Sequence, residues 1–134
     1  MLGIRQPEVY GRGTLADLQG ACAATAAELG IELVFRQTDD EGTLLGWLHE
    51  AATAAGAVVL NPGAWTHYSL AVRDAASIVT GADVPLIEVH LSNPGAREPF
   101  RHTDVVVGVA TGVIAGFGVQ SYLLALRAAA ASLP

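Results

Sequence analysis

The segments at residues 57–61 and 85–90, A-V-V-L-N and P-L-I-E-V-H, are apolar on nearly every position, so neither face of an extended chain there is suited to water. Each is separated from the next by a stretch with helical periodicity. Strands apolar on both faces and joined through helices specify a parallel sheet covered on both sides by right-handed crossovers. The expected fold class is α/β, a flavodoxin-like three-layer sandwich. Residues 14–29 place Leu15, Leu18, Cys22 and Leu29 at helical spacing, with Thr14 and Asp17 as a capping box and Gly30 as a stop. Residues 31–37, rich in Ile, Val and Phe, read as a strand, and a helix opens at Asp39 or Asp40 and runs to Ala55. The pattern continues with a strand over 57–61, a helix over 69–79, strands over 85–90 and 112–118, and a last helix over 119–131. The first helix, however, follows thirteen loop-like residues rather than the central strand with which such a sheet normally begins. A first strand is therefore expected to be absent from this chain, or the chain to be shortened at its start.

Composition narrows the function. A chain of 134 residues, 51% of them apolar, suits one domain over residues 1–134 with an ample core. Charged residues make up only 15%, and 13 acidic side chains outnumber 7 basic ones, which argues against nucleic acid or an anionic membrane as partner. All the basic residues are arginines. The lack of lysine excludes Schiff-base chemistry and a P-loop. The lone Cys22 permits no internal disulfide and reads as a small core residue in a reducing cytoplasm. Residues 105–126 carry no charge, yet their glycines, Thr111, Gln120 and Ser121 suit a buried strand and helix better than a membrane span. Sparse surface charge also suggests a homo-oligomer.

Ligands of open α/β sheets bind outside the carboxyl ends of the strands, so polar residues there carry weight. One such cluster is L-N-P-G-A-W-T-H, which holds Asn61 and His67; a second is E-V-H-L-S-N, where Glu88 and His90 share a strand face and the carboxylate can orient the imidazole. Arg97 and Arg101 follow, and the opening loop contributes Arg5, Tyr10 and Arg12. Each has a plainer reading: Asn61 closing a turn, His67 capping a helix, the arginines solvated, Tyr10 packing. The Glu88–His90 pair is the hardest to explain structurally, because a carboxylate in an apolar strand requires a partner. His67, His90 and Glu88 could supply three metal ligands, but no metal motif accompanies them, the glycines form no dinucleotide fingerprint, and Ser69 lacks a nucleophile elbow. No cofactor and no metal are expected.

In order along the chain, M-L-G-I-R-Q-P-E-V-Y-G, R-Q-T-D-D-E-G, L-N-P-G-A-W-T-H-Y-S, L-I-E-V-H-L-S-N, A-R-E-P-F-R and G-V-I-A-G-F-G-V-Q-S-Y-L-L-A-L closely resemble the type II 3-dehydroquinate dehydratases. The resemblance implies anti elimination of water from 3-dehydroquinate through an enolate to give 3-dehydroshikimate, in the shikimate or quinate pathway, by a cofactor-free, cytoplasmic homododecamer of trimers. It implies that Tyr10 is the base that takes the proton beside the ketone, activated by Arg5, with Arg97 a second arginine near it. A tyrosine hydroxyl ordinarily titrates near 10, so a base at neutral pH needs such cations. It implies His90 as the general acid, with Glu88 fixing its tautomer. Asn61, His67, Leu91, Ser92 and Arg101 would hold the substrate's hydroxyls and carboxylate, and Asp74 would reach a neighbouring subunit's site. Two departures stand out: the family's preceding strand with its asparagine-bearing G-P-N-L-N stretch lies before the point where this chain starts, and Gly95 stands where histidine is more usual. The alternative expectation is an N-terminally shortened, weakened homologue that binds a cyclic polyhydroxy acid or serves as an assembly partner.

Overall fold

The computed structural model describes residues 1–134. Its centre is a parallel sheet of three strands in the order β1 (Val58–Leu60), β2 (Leu86–His90) and β3 (Gly112–Ala115). Val59 lies opposite Ile87, and Glu88 opposite Val113, so β2 is hydrogen-bonded on both edges and buried at every position. Alternation along β2 then sorts its side chains between two cores. Leu86 joins Leu60, Val72, Val79 and Val106 on the side of helices α3 (Glu41–Thr53) and α4 (Leu70–Gly81). Ile87 packs on Ala125 and Ala129 of helix α5 (Val119–Ser132) on the other. Helix α2 (Leu15–Leu29) covers α5 through Leu18, Cys22 and Leu126. This is the expected three-layer α/β sandwich.

Local chemistry sets most boundaries as expected. The Thr14 hydroxyl accepts from the Asp17 N–H at 3.1 Å and the Asp17 carboxylate accepts from the Thr14 N–H at 2.8 Å, a complete capping box. Gly30 ends that helix in the left-handed region at φ 68°, and its N–H returns to the Ala26 and Ala27 carbonyls. Asp40 and Ser69 cap α3 and α4 in the same way. Thr14→Ala should therefore lower stability by about 1 kcal/mol in urea titration, leaving the unfolding slope unchanged.

Residues 31–37 depart from expectation, for they form no strand. Their one backbone hydrogen bond to the rest of the chain is Ile31 N–H to the Ala26 carbonyl, which belongs to the helix stop. A strand exists only where a neighbour supplies a ladder, and here a groove of about 780 Å³ separates Leu33 and Phe35 from Val58–Leu60. The opening segment contains one helical turn, α1 (Pro7–Tyr10), with proline at its first position. The last strand stops at Ala115 rather than Gly118, because Gly116 and Gly118 turn the chain at φ 97° and 59°. No helix is long and apolar enough to cross a membrane.

Candidate active site

Beyond the carboxyl end of β2, a cleft of about 410 Å³ opens between α1, the segment Leu91–Asn93 and the turn at Gly116–Gly118. It brings together four of the residues picked out in sequence, Tyr10, Leu91, Ser92 and Arg97. The Arg97 guanidinium donates to the Tyr10 hydroxyl oxygen at 2.6 Å and to the Gln6 side-chain carbonyl at 3.2 Å, and lies 3.5 Å from Ser92 Oγ. Arg5 occupies a different place from Arg97. Its guanidinium sits over the Tyr10 ring, 5.5 Å from the centroid, where Arg97 also lies at 5.2 Å. Two guanidinium groups thus lie against one phenol, one of them hydrogen-bonded to its oxygen.

The wall of the cleft requires glycine at one point. A Cβ on Gly116 would lie 3.3 Å from the Asn93 Cβ, and its φ of 97° is already unfavourable for any side chain. Gly116→Ala should cost about 1–3 kcal/mol in chemical denaturation and push the Asn93 loop out of place.

At the last residue of β2, His90 is 8% exposed and Glu88, two residues earlier on the same face, is 0% exposed. Glu88 Oε2 accepts from His90 Nε2 at 3.1 Å. The other ring nitrogen, Nδ1, has no partner within the chain, and since no buried side-chain polar atom lacks one, Nδ1 must be the accessible nitrogen. The dyad expected from its i, i+2 spacing is therefore formed, with one imidazole nitrogen held and the other left for a ligand. Burial pushes the Glu88 carboxyl above the ordinary glutamate range.

Arg5, Glu88 and His90 border this cleft's residues without lining it themselves, and the remaining expected residues lie elsewhere. Asn61 Oδ1 accepts from the Gly63 N–H at 2.9 Å, so its side chain closes the Pro62–Gly63 turn. His67 Nδ1 bonds to the Thr103 carbonyl at 2.8 Å, and its ring meets Phe100 edge-on at 6.3 Å. Arg101 lies over the same Phe100 ring at 4.8 Å and donates to Glu98. Asp74 is exposed on α4 with Arg73 beside it at 3.7 Å. Three participants carried no sequence signal: Gln6, Thr66 and Asp104. Thr66 Oγ1 touches both Glu88 and Asp104, at 3.0 and 2.7 Å. Glu88, His90 and Asp104 bring polar atoms within 4.8 Å of one another, but these atoms are already engaged in hydrogen bonds.

This chain matches known proteins over nearly its whole length. The family model Dehydroquinase class II covers residues 1–130. A 3-dehydroquinate dehydratase of Salinispora arenicola is 63% identical over 125 residues, or 93% of this chain and 85% of that protein. One from Salinispora tropica is 62% identical over 130 residues, 97% of this chain and 89% of that protein. The crystal structure of a type II dehydroquinase from Propionibacterium acnes superposes with a TM-score of 0.92 at 45% identity, covering 97% of this chain and 88% of the other. Together with a phenol clasped by arginines and a carboxylate-held imidazole at one end of a parallel sheet, these likenesses place the chain in the class II dehydroquinase family.

Proposed function

We propose that this protein is a 3-dehydroquinate dehydratase, a carbon–oxygen lyase that converts 3-dehydroquinate to 3-dehydroshikimate and water by anti elimination. The observation that carries the reading is the 2.6 Å contact from Arg97 to the Tyr10 oxygen. A guanidinium hydrogen bond stabilises the phenolate that a base requires, and a phenolate is strong enough to take a proton made acidic by the adjacent ketone. In the first step Tyr10 accepts that proton and the electron pair moves onto the ketone oxygen as an enolate. In the second the enolate collapses, the carbon–oxygen bond to the leaving hydroxyl breaks, and His90 Nδ1 supplies the proton that makes it water. Arg5 completes the positive surround of Tyr10, and Glu88 keeps the imidazole oriented. Leu91 and Ser92 line the cleft beside Tyr10 and are assigned to the substrate's hydroxyls. His67, Asn61 and Arg101 are assigned to its remaining hydroxyls and carboxylate. The reaction calls for no redox change and no cofactor.

The protein is further proposed to act in the cytoplasm as a homododecamer of trimers, in which Asp74 reaches a neighbouring subunit's site. Its exposure on α4, away from the cleft of its own chain, supports that role. Absorbance from the conjugated enone product should grow when the purified protein meets 3-dehydroquinate. A preparation that is folded, assembled and silent in that assay would refute the proposed activity.

A further inference from the structure

Thr66 has a single hydroxyl proton and two carboxylates to satisfy. Its Oγ1, in a residue 1% exposed, lies 2.7 Å from Asp104 Oδ1 and 3.0 Å from Glu88 Oε1. Were both carboxylates charged, one contact would set lone pair against lone pair beside a wholly buried anion, a costly arrangement. The hydrogen bonds resolve in one direction only. Asp104 Oδ1 also accepts from the Val106 and Val107 N–H groups at 2.8 and 2.9 Å, so three donors support a charge there. The Thr66 proton belongs to that shorter contact, and the longer one is made by a proton on Glu88. His90 then donates through Nε2 to Glu88, Glu88 through Oε1 to Thr66, and Thr66 to Asp104.

We propose that Asp104 is a positioning residue for the elimination: its anionic carboxylate, acting through the Thr66 hydroxyl, keeps Glu88 protonated behind His90. The charges around Glu88 bear this out. The sheet face it shares is packed with Val72, Val79, Leu86 and Val106, and its strand neighbours are Leu60 and Val113. His90 and Asp104 are the charged influences on it. Burial is the largest influence and pushes the Glu88 carboxyl up; the His90 hydrogen bond opposes it, and Asp104 adds to it through both contact and charge. Burial pushes Asp104 up as well, but the nearby Glu88 carboxyl and the hydrogen bonds from Thr66 and the two amides outweigh it and hold that carboxyl below its ordinary range.

The consequence is chemical. A carboxylate directly on Nε2 would hold the protons of an imidazolium firmly, whereas a neutral acid orients the ring and leaves its Nδ1 proton easier to give. When the Nδ1–H bond breaks and the departing hydroxyl becomes water, the ring turns neutral with Nε2–H still donating to Glu88. No other proton in the row has to move.

Infrared spectroscopy of the native protein carrying ¹³C-labelled glutamate tests this at neutral pH. A carbonyl band of a protonated carboxylic acid is expected, absent from Glu88→Gln; Asp104→Asn, whose amide oxygen can keep the Thr66 and backbone contacts while the charge is gone, should lose it at lower pH than the native protein does. Thr66→Val should shift that band and Thr66→Ser preserve it. No such band in the native protein, or one unchanged by both Asp104→Asn and Thr66→Val, would overturn the inference. The kinetic arm rests on the proposed dehydration. Asp104→Asn should lower kcat by roughly tenfold with KM little changed and move the alkaline limb of the kcat profile to higher pH. The spectroscopic arm needs no turnover, so a failure of the activity and a failure of this inference are told apart.

Discussion

Replacing Tyr10 by phenylalanine is expected to lower kcat by roughly a hundred- to ten-thousandfold, the usual worth of a positioned base, while the fold is kept. The substitution removes one oxygen and nothing else. That oxygen has a single partner in the chain, the Arg97 guanidinium at 2.6 Å, and Arg97 retains its contact with Gln6 when the hydroxyl is gone. Packing of the ring between two guanidinium groups is unaffected. Thermal unfolding should therefore change little, and KM should stay within a small factor because the cleft keeps its shape. Steady-state kinetics by enone absorbance measures the effect. Turnover close to that of the native protein would remove Tyr10 from the role of base.

His90→Gln is the second large effect. Glutamine can still reach toward Glu88 with its amide, so the buried carboxyl is not abandoned, but it has no proton to give to a leaving hydroxyl. Expelling hydroxide in place of water is expected to lower kcat by a similar roughly hundred- to ten-thousandfold. The two variants fail at different bonds. With Tyr10→Phe the enolate never forms, so exchange of the proton beside the ketone with solvent should cease. With His90→Gln the enolate still forms, and exchange should outrun product formation. Proton NMR of the substrate in deuterium oxide separates them, and exchange that disappears in both variants would contradict the division of labour.

Much of the fold was legible because its causes are local. The Thr14–Asp17 box, the Gly30 stop and the Asp40 and Ser69 caps are decided within four residues, and their helices fall where expected. Residues 31–37 were misread for the opposite reason. Ile, Val and Phe state a preference for extended backbone, but a strand is completed by a hydrogen-bonded neighbour, which no local pattern can supply. The site divides in the same way. Glu88 and His90 are two apart on one strand, so their pairing could be read from alternation alone. Tyr10 and Arg97 are 87 positions apart, and only the likeness to a known family joined them. Asp104 lies 38 positions from Thr66 in a segment that offers no periodicity, so folding alone reveals that the Thr66 hydroxyl donates to its carboxylate.

The account rests on a base and an acid that work on opposite faces of one ring. The most direct measurement uses 3-dehydroquinate carrying deuterium at one or the other of the two hydrogens beside the ketone, with the product analysed by mass spectrometry. Label on the face opposite the departing hydroxyl should pass to solvent with a primary isotope effect, and label on the same face should remain in the 3-dehydroshikimate. Loss of the same-face label would place base and acid on one side, and Tyr10 and His90 could not then hold the opposed roles proposed for them.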